Sequence, residues 1–204
     1  MKHLKKALGN IPVISISRLQ TDFGTNLIDE GPYGYVNIYK QILRGAKEAT
    51  TKYVAVCEDD TLYSDAHFKC FRPKDNEFAY NRSRWSIFSW GPPIYSLRQR
   101  ISNCSCIAPR RLLVEALEER FEKCGYDIPV TMCGECGRNK LEIRMGITLR
   151  KQVDFFSGTP IVQLSHPSGT EDRQKIMRKK HAEIKAFDIP YWGKAENLIK
   201  YYTE

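Results

Sequence analysis

The sequence predicts an α/β protein with a mixed, mainly parallel central sheet flanked by helices. Two short apolar runs, 11–17 and 53–57, have the length and composition of buried strands. Between them, residues 33–51 place apolar side chains at three- and four-residue steps, as in an amphipathic helix. The order strand, helix, strand predicts a crossover unit of a parallel sheet.

Later segments extend this pattern of alternating elements. Pro109 suits the first turn of an amphipathic helix over 110–123, and a turn at 91–93 separates two further strands. The expected strands are 86–90 and 105–108, a further apolar run is 161–164, and the expected later helices are 171–187 and 192–204.

Length and composition predict one domain over residues 1–204, with a basic segment at 1–10 and a basic helical tail at 174–204. A chain of 204 residues can bury a substantial core. No apolar run approaches the roughly 18 residues of a membrane span, so none is expected. Seven cysteines, an odd number, with no signal peptide argue against a secreted disulfide framework and favour a reducing, cytoplasmic location.

Three acidic residues, Glu58, Asp59 and Asp60, directly follow the second predicted strand. Acids at this position are costly unless something cationic meets them. Ligands of open α/β sheets bind at the carboxyl ends of the strands, and hard divalent cations prefer carboxylate oxygen. The spacing therefore indicates either a cation site that faces a substrate phosphate or a solvated acidic turn.

Several motifs resemble those of GT-A-fold glycosyltransferases, in which an acidic DxD-type motif holds a metal. The closer likeness is to the phage-type and base-J-type enzymes that glycosylate hydroxymethylated pyrimidines in DNA. It extends over roughly residues 11–173, and its most specific part is 36–68. The matching segments are PVISIS at 12–17, DFGTN at 22–26, VNIYKQILRGAKEATTKYVAVCEDDTLY at 36–63, HF at 67–68, FAYN at 78–81, Trp85, APRRLL at 108–113, GECGR at 134–138 and SHPSGTEDR at 165–173.

The resemblance implies a nucleotide-sugar donor, with UDP-glucose as the family default, and a divalent cation, Mn²⁺ or Mg²⁺. It implies Asp60 and His166 as metal ligands, although a proline follows His166 where the family usually has another residue. The implied donor-binding residues are Ser15, Ser17, Arg18, Asp22, Glu58 and Asp59, and Asn26 lies in the same expected loop as Asp22. A phage-encoded protein of this kind would work in the host cytoplasm.

Glu135 is the candidate catalytic base. Gly134 and Gly137 flank it closely and indicate a tight backbone path near a ligand. A partly enclosed carboxylate can take the proton of an acceptor hydroxyl. Attack from the face opposite the leaving group would invert the configuration of the sugar, whereas a Glu135 distant from the anomeric carbon leaves a retaining route open.

Basic residues interleaved with aromatics suggest a nucleic-acid acceptor, because cations bind the phosphate backbone and aromatic rings stack on an extruded base. The net charge is +8. A solvated basic face, or arginines that bind the donor diphosphate, would explain the same pattern. The residues expected to contact DNA are Arg82, Arg84, Trp85, Arg110 and Arg111.

The cysteines leave a structural zinc open. Cys133 and Cys136 form a CxxC pair, and Cys124 precedes them by nine positions, a spacing that matches no standard zinc ribbon. Cys57 is expected in the core of its strand. Two other functions therefore stay open: a GT-A glycosyltransferase for a glycan, lipid-linked or small acceptor, and a non-catalytic, zinc-stabilised nucleic-acid-binding module.

Overall fold

A computed structural model describes residues 2–129, 133–166 and 181–203. Helices and strands of both orientations occur together, and the α/β class is confirmed. The helices are α1 (Lys2–Leu8), α2 (Tyr35–Glu48), α3 (Asp65–Lys69), α4 (Arg110–Cys124), α5 (Asn139–Met145) and α6 (Ala195–Thr203). The strands are β1 (Ile14–Ser17), β2 (Thr25–Ile28), β3 (Tyr53–Ala55), β4 (Thr61–Leu62), β5 (Glu77–Asn81), β6 (Arg84–Phe88), β7 (Tyr95–Leu97), β8 (Cys106–Pro109), β9 (Lys151–Phe155), β10 (Ile161–Ser165), β11 (Lys185–Ala186), β12 (Asp188–Ile189) and β13 (Gly193–Lys194).

The strands form two larger sheets and two isolated pairs. The larger sheets have the orders β3-β8-β5-β9 and β11-β7-β6-β10-β4, and the pairs are β1-β2 and β12-β13. Within the described ranges, three strand pairings are parallel and six are antiparallel. The expectation of one mainly parallel sheet is thus corrected to two mixed sheets. The physical reason is that β8 inserts between β3 and β5 and runs against both.

The first predicted crossover also differs from the observed pairing. β1 hydrogen-bonds to β2, whereas β3 pairs with β8, and a cleft lies between β1 and β3. Cys57 is exposed, so its assignment to the core is wrong. Because pairing partners are chosen over long sequence separations, the apolar run alone could not show that this strand would face a cleft.

Helices α2 and α4 cover one face of the four-stranded sheet. Tyr39 of α2 and Leu117 of α4 are buried there together with Phe78 of β5. Full burial of a side chain such as Leu117 stabilises the fold by about 1.5–3 kcal/mol. The helices predicted from periodicity at 33–51 and 110–123 are therefore confirmed, and their apolar faces form the first core.

The carboxyl-terminal region forms a second core on the five-stranded sheet. Ala195 and Leu198 of α6 pack there with Ile87 and Val162. Of the described part of the predicted helical tail at 174–204, α6 is helical, whereas residues 181–194 contain three short strands. The backbone N–H of Leu97 donates to Ile184, which ties this segment to β7 and competes with helix formation. The remainder of the predicted helix at 171–187 lies outside the described residues. Across the described ranges, no helix is long and apolar enough to span a membrane.

The two sheets meet where the chain crosses from β5 to β6 and, beside it, from β9 to β10. The buried Asn81 fastens this junction: its Nδ2 donates to Ser157 Oγ over 2.7 Å, and its Oδ1 accepts from Ser83 N over 3.0 Å. The same junction sets the register in which Gln163 of β10 lies opposite Thr61 of β4. A polar side chain on β10 is thereby placed beside the acidic turn.

Gly24 fixes the approach of β2 to β1. Its φ is +68°, and an added Cβ would lie 2.7 Å from Val13 Cβ and closer still to the Val13 carbonyl oxygen. We expect Gly24→Ala to lower the free energy of unfolding by more than about 2 kcal/mol, because a positive φ and a backbone clash add together. Gly125→Ala is the matched control, with the same φ of +68° but no neighbouring atom within 4 Å. Equal losses of stability for the two variants in urea titrations would contradict a steric role for Gly24.

His67 gives the fold a predictable dependence on pH. It is fully buried, its Nδ1 lies 3.1 Å from the Nδ2 donor of Asn81, and burial lowers its pKa to about 4 from 6.5. The unfolded chain therefore binds more protons between these two values, so the contribution of His67 is complete above pH 6.5 and is lost as the pH falls toward 4. We expect this contribution to be roughly 3 kcal/mol.

Urea unfolding at pH 7 and pH 5 measures this effect. The matched variant is His67→Gln, which cannot titrate, and its stability should fall less between the two pH values even if it is lower throughout. The same pH dependence in both proteins would show that another group is responsible.

Candidate functional site

A cleft of about 1940 Å³ separates β1 and α2 from β3. Its walls include the acidic turn after β3 and the loop that precedes α5. Of the residues singled out in the sequence, Ser15, Ser17, Glu58, Asp59, Asp60, Arg82, Arg84, Glu135 and His166 line this cleft. The structure thus brings together residues that are up to 151 positions apart in the chain, and it makes this cleft the candidate active site.

The acidic turn is held by hydrogen bonds on both sides. The backbone N–H of Glu58 donates to the buried Tyr63 hydroxyl over 3.1 Å, and that hydroxyl donates to the Cys104 carbonyl oxygen over 2.9 Å. On the other side, the N–H of Leu164 donates to the Asp60 carbonyl oxygen over 2.7 Å. These bonds fix the backbone, so the carboxylates have little freedom to move apart.

Gln163 contacts two of the three acidic residues, Glu58 and Asp60, which together form the acid pair of the cleft. Its Nε2 lies 3.3 Å from Glu58 Oε2 and 3.4 Å from Asp60 Oδ2. Arg84 Nη1 donates to Gln163 Oε1 over 2.7 Å, which fixes the amide with its N–H groups toward the acids. Gln163 is not among the site residues predicted from the sequence. Its only signal there was a polar residue inside the apolar run 161–164.

The ionised forms of Glu58 and Asp60 repel each other, so this acid pair is destabilised unless positive charge lies nearby. Burial and the charge of Asp60 together raise the pKa of Glu58 to about 8, and the nearby charge of Arg84 only partly opposes that rise. Burial also raises the pKa of Asp60, and hydrogen bonds from Thr61 and Gln163 oppose that rise. Two carboxylates that repel each other in a partly dehydrated site are stabilised when a cation binds between them.

The donor set fits a hard divalent cation held by two carboxylates. Within the described residues, no group of three or more His, Cys, Asp or Glu side chains converges, so His166 does not join Asp60 in such a group. His166 nevertheless lines the cleft, and its charge acts on the Asp60 carboxyl. Ions such as Mg²⁺ need only one or two protein carboxylates when water and substrate phosphate oxygens supply the other ligands.

Ser15 and Ser17 form a hydroxyl wall on β1. Asn26 lies on β2, not in the expected loop, and its Nδ2 donates to Ser15 Oγ over 2.9 Å and to Ser17 Oγ over 2.8 Å. Ser17 Oγ in turn donates to the Leu19 carbonyl oxygen. Asn26 therefore orients the two hydroxyls from its position on β2. Ser15 and Ser17, and not Asn26, line the cleft and can hydrogen-bond a ligand there.

Two predicted donor-binding residues lie outside the cleft lining. The Arg18 guanidinium donates to the carbonyl oxygens of Asp29 and Gly31 and stacks 4.3 Å from the Tyr33 ring centre. Asp22 has 91% of its side chain exposed and lies 4.0 Å from Lys5. The structure thus places neither residue in the cleft wall: Arg18 holds the loop after β2 in place, and Asp22 is solvated.

Glu135 faces the same cleft as the acid pair. Its side chain is 17% exposed, its Oε2 lies 3.4 Å from Arg138 Nη1, and its charge contributes to the raised pKa of Glu58. The loop that carries Glu135 is anchored by Arg120, which is buried and donates to the Gly134 carbonyl oxygen over 3.0 Å. The Glu135 carboxylate is thus held at the edge of the site, separate from Glu58 and Asp60.

The five basic and aromatic residues expected to contact DNA occupy different surroundings. Arg82 lines the cleft, 3.7 Å from Asp154, with 23% of its side chain exposed. Arg84 is buried behind Gln163 and reaches the cleft wall instead of an open surface. Trp85 packs into the second core against Tyr95 and does not line the cleft.

Arg110 and Arg111 begin α4 away from the cleft, and Arg111 pairs with Glu115 over 2.7 Å. Both residues directly follow β8, which ends at Pro109 and lies between β3 and β5 in the four-stranded sheet. Four arginines that were not assigned to the site line the cleft instead: Arg72, Arg98, Arg100 and Arg138.

The three candidate zinc ligands have separate partners. Cys124 Sγ lies 3.8 Å from the Met145 carbonyl oxygen, and Cys133 Sγ lies 3.9 Å from that of Ile128. Cys136 Sγ accepts from Arg120 in the first core. The part of the chain that the structure describes contains no metal-binding group with three such ligands, so it does not bring these cysteines together around zinc.

Comparison of the chain with protein-family models, with curated proteins and with solved structures gives no match. A functional assignment therefore depends on the residues of the cleft and on the motifs of the sequence.

Proposed function

We propose that this protein is a metal-dependent glycosyltransferase of the GT-A class. It would transfer a sugar, with glucose as the first candidate, from a nucleotide-sugar donor to a hydroxyl acceptor. The observation that carries the proposal is that one cleft contains the acid pair Glu58 and Asp60, the hydroxyls of β1 and a separate carboxylate, Glu135. These are the groups that the reaction needs for the donor diphosphate, the nucleoside and the acceptor proton.

The chain's own residues divide the work. Ser15 and Ser17 would hydrogen-bond the nucleoside part of the donor, because Asn26 fixes their orientation. Glu58 and Asp60 would hold a divalent cation, with Gln163 keeping the two carboxylates in place. When bound, such an ion neutralises the charge that develops on a diphosphate leaving group.

Glu135 is proposed as the base. The acceptor oxygen attacks the anomeric carbon, the bond from that carbon to the diphosphate oxygen breaks, and the hydroxyl proton passes to the Glu135 carboxylate. The diphosphate leaves with the bonding electron pair. Such a direct displacement inverts the configuration of the sugar.

The proposed acceptor is the hydroxymethyl group of a modified pyrimidine in DNA. The cleft is lined by six arginines, and only two of them, Arg82 and Arg138, form ion pairs within the described part of the chain. The net charge of +8 makes the overall electrostatic potential of the protein positive as well. A polyanionic acceptor is attracted to such a surface, whereas a neutral glycan gains nothing from it.

The test is release of UDP from UDP-glucose with Mn²⁺, in the presence of DNA containing 5-hydroxymethylpyrimidines or of otherwise identical plain DNA. We expect the hydroxymethylated DNA to increase the release and plain DNA not to do so. Release that is indifferent to DNA would retain the glycosyltransferase and remove the DNA acceptor. No release from UDP-glucose or from other sugar nucleotides would remove the glycosyltransferase itself.

A further inference from the structure

Three arginines meet on the cleft wall next to the acid pair. Arg84 begins β6, and Arg98 and Arg100 follow β7. The backbone N–H of Arg98 donates to the Arg84 carbonyl oxygen over 2.8 Å, and Arg84 Nη2 donates to the Arg100 carbonyl oxygen over 2.9 Å. All three residues line the cleft, so their positive charges are concentrated on one short stretch of its wall.

Within the described residues, none of the three guanidinium groups is paired directly with a carboxylate, although Arg84 is close enough to Glu58 for its charge to lower the pKa of that acid. Two other arginines of the same cleft, by contrast, do form salt bridges. Burial lowers the pKa of Arg98, and the charges of Arg100 and Arg84 lower it further. Cations that are partly removed from water and repel one another are stabilised by an anion.

Arg84 provides a second, independent indication of a ligand. Only 3% of the residue is exposed, and its Nε has no hydrogen-bond partner among the residues that the structure describes, although Nη1 and Nη2 each donate to the protein. A buried donor without an acceptor is unfavourable, and native proteins rarely leave one. An acceptor that enters from the cleft would satisfy this group.

We infer that Arg84, Arg98 and Arg100 form a phosphate-binding subsite, separate from the acid pair Glu58 and Asp60. Arg98 and Arg100 would contact the phosphate oxygens, and Arg84 Nε would donate to a phosphate oxygen that reaches it from the cleft. Guanidinium groups suit this task because their N–H groups match phosphate oxygens in pairs. The subsite is joined to the acids through the bond from Arg84 to Gln163, so a phosphate held there lies beside the carboxylates.

The phosphate has two possible sources, and choosing between them rests on the proposed function. The diphosphate of the nucleotide sugar would place the subsite on the donor. A phosphodiester that flanks the modified base would place it on the acceptor. The chemistry is the same in both cases, since each presents two or more anionic or polar phosphate oxygens.

Pyrophosphate binding in the presence of EDTA tests the subsite without any transfer reaction. We expect Arg98→Gln/Arg100→Gln to weaken binding at least about tenfold by calorimetry and to flatten its salt dependence. The matched control is Arg111→Gln, an exposed arginine outside the cleft, which should bind like the wild type. Arg98→Lys/Arg100→Lys keeps both charges and should recover part of the affinity, which separates loss of charge from loss of fold.

UDP and a plain single-stranded oligonucleotide then identify the source. Weaker UDP binding by the double variant assigns the subsite to the donor, and weaker oligonucleotide binding assigns it to the acceptor. Wild-type protein that binds no pyrophosphate, or a double variant that binds it as tightly as the control, would overturn the subsite. Wild-type protein that binds pyrophosphate but transfers no sugar would leave the subsite in place and remove the proposed function instead.

Discussion

We expect Asp60→Ala to abolish the proposed metal-dependent sugar transfer while the protein stays folded. The substitution removes a carboxylate from the pair that would hold the cation, and several kcal/mol of transition-state stabilisation depend on that ion. We therefore expect turnover to fall by a factor of about 10³ or more. The fold should persist because the bond from Leu164 N to residue 60 uses the backbone carbonyl oxygen, which alanine retains.

The measurement is UDP release over a range of Mn²⁺ concentrations, with circular dichroism to verify folding. Asp65→Ala is the matched control, because Asp65 pairs with Lys69 over 3.0 Å on α3 and does not line the cleft. It should keep wild-type activity. Full activity of Asp60→Ala would sink the assignment of the acid pair.

For Glu135 as the proposed base, we expect Glu135→Gln to lower turnover by a factor of about 10² to 10⁴ and to leave donor binding unchanged. Glutamine keeps the size of the side chain and removes the charge that accepts the proton. The loop itself is anchored at Gly134 by Arg120, and that bond does not involve the side chain at 135. A change confined to kcat therefore indicates chemistry, not a displaced loop.

Steady-state kinetics at several UDP-glucose concentrations separate kcat from KM for this variant. Glu122→Gln on the exposed side of α4 removes a carboxylate outside the cleft and should have no effect. An unchanged kcat for Glu135→Gln would remove the residue from the role of base and reopen a retaining mechanism. A higher KM with an unchanged kcat would make it a donor-binding residue.

The sequence predicted the elements whose signal is local. Spacing of apolar residues located α2 and α4, and a strand that ends in three acids located the turn that faces the cleft. Both signals depend on neighbouring residues along the chain, where periodicity and the cost of burying charge are readable.

Contacts between residues that are distant in the sequence were harder to predict. Arg84 was placed on a surface because arginines are mostly exposed, yet it is buried, and its charge lowers the pKa of Glu58 against the effect of burial. Gln163 has no distinguishing local signal. The pairing of β10 with β4 brings it to 3.4 Å from Asp60, although the two residues are 103 positions apart in the sequence. The pairing of β3 with β8 instead of β1 likewise depends on a strand about 50 residues further along the chain, which no local pattern reveals.

Transfer of isotopically labelled glucose from UDP-glucose to hydroxymethylated DNA is the most direct test of the central claim. The DNA would be digested to nucleosides and analysed by mass spectrometry after incubation with Mn²⁺ and either wild-type protein or Asp60→Ala. We predict a labelled hexose on the hydroxymethylpyrimidine with the wild type and none with the variant. Equal labelling by both proteins would contradict the role of the acid pair, and no labelling of the DNA or of any other added acceptor would contradict the glycosyltransferase.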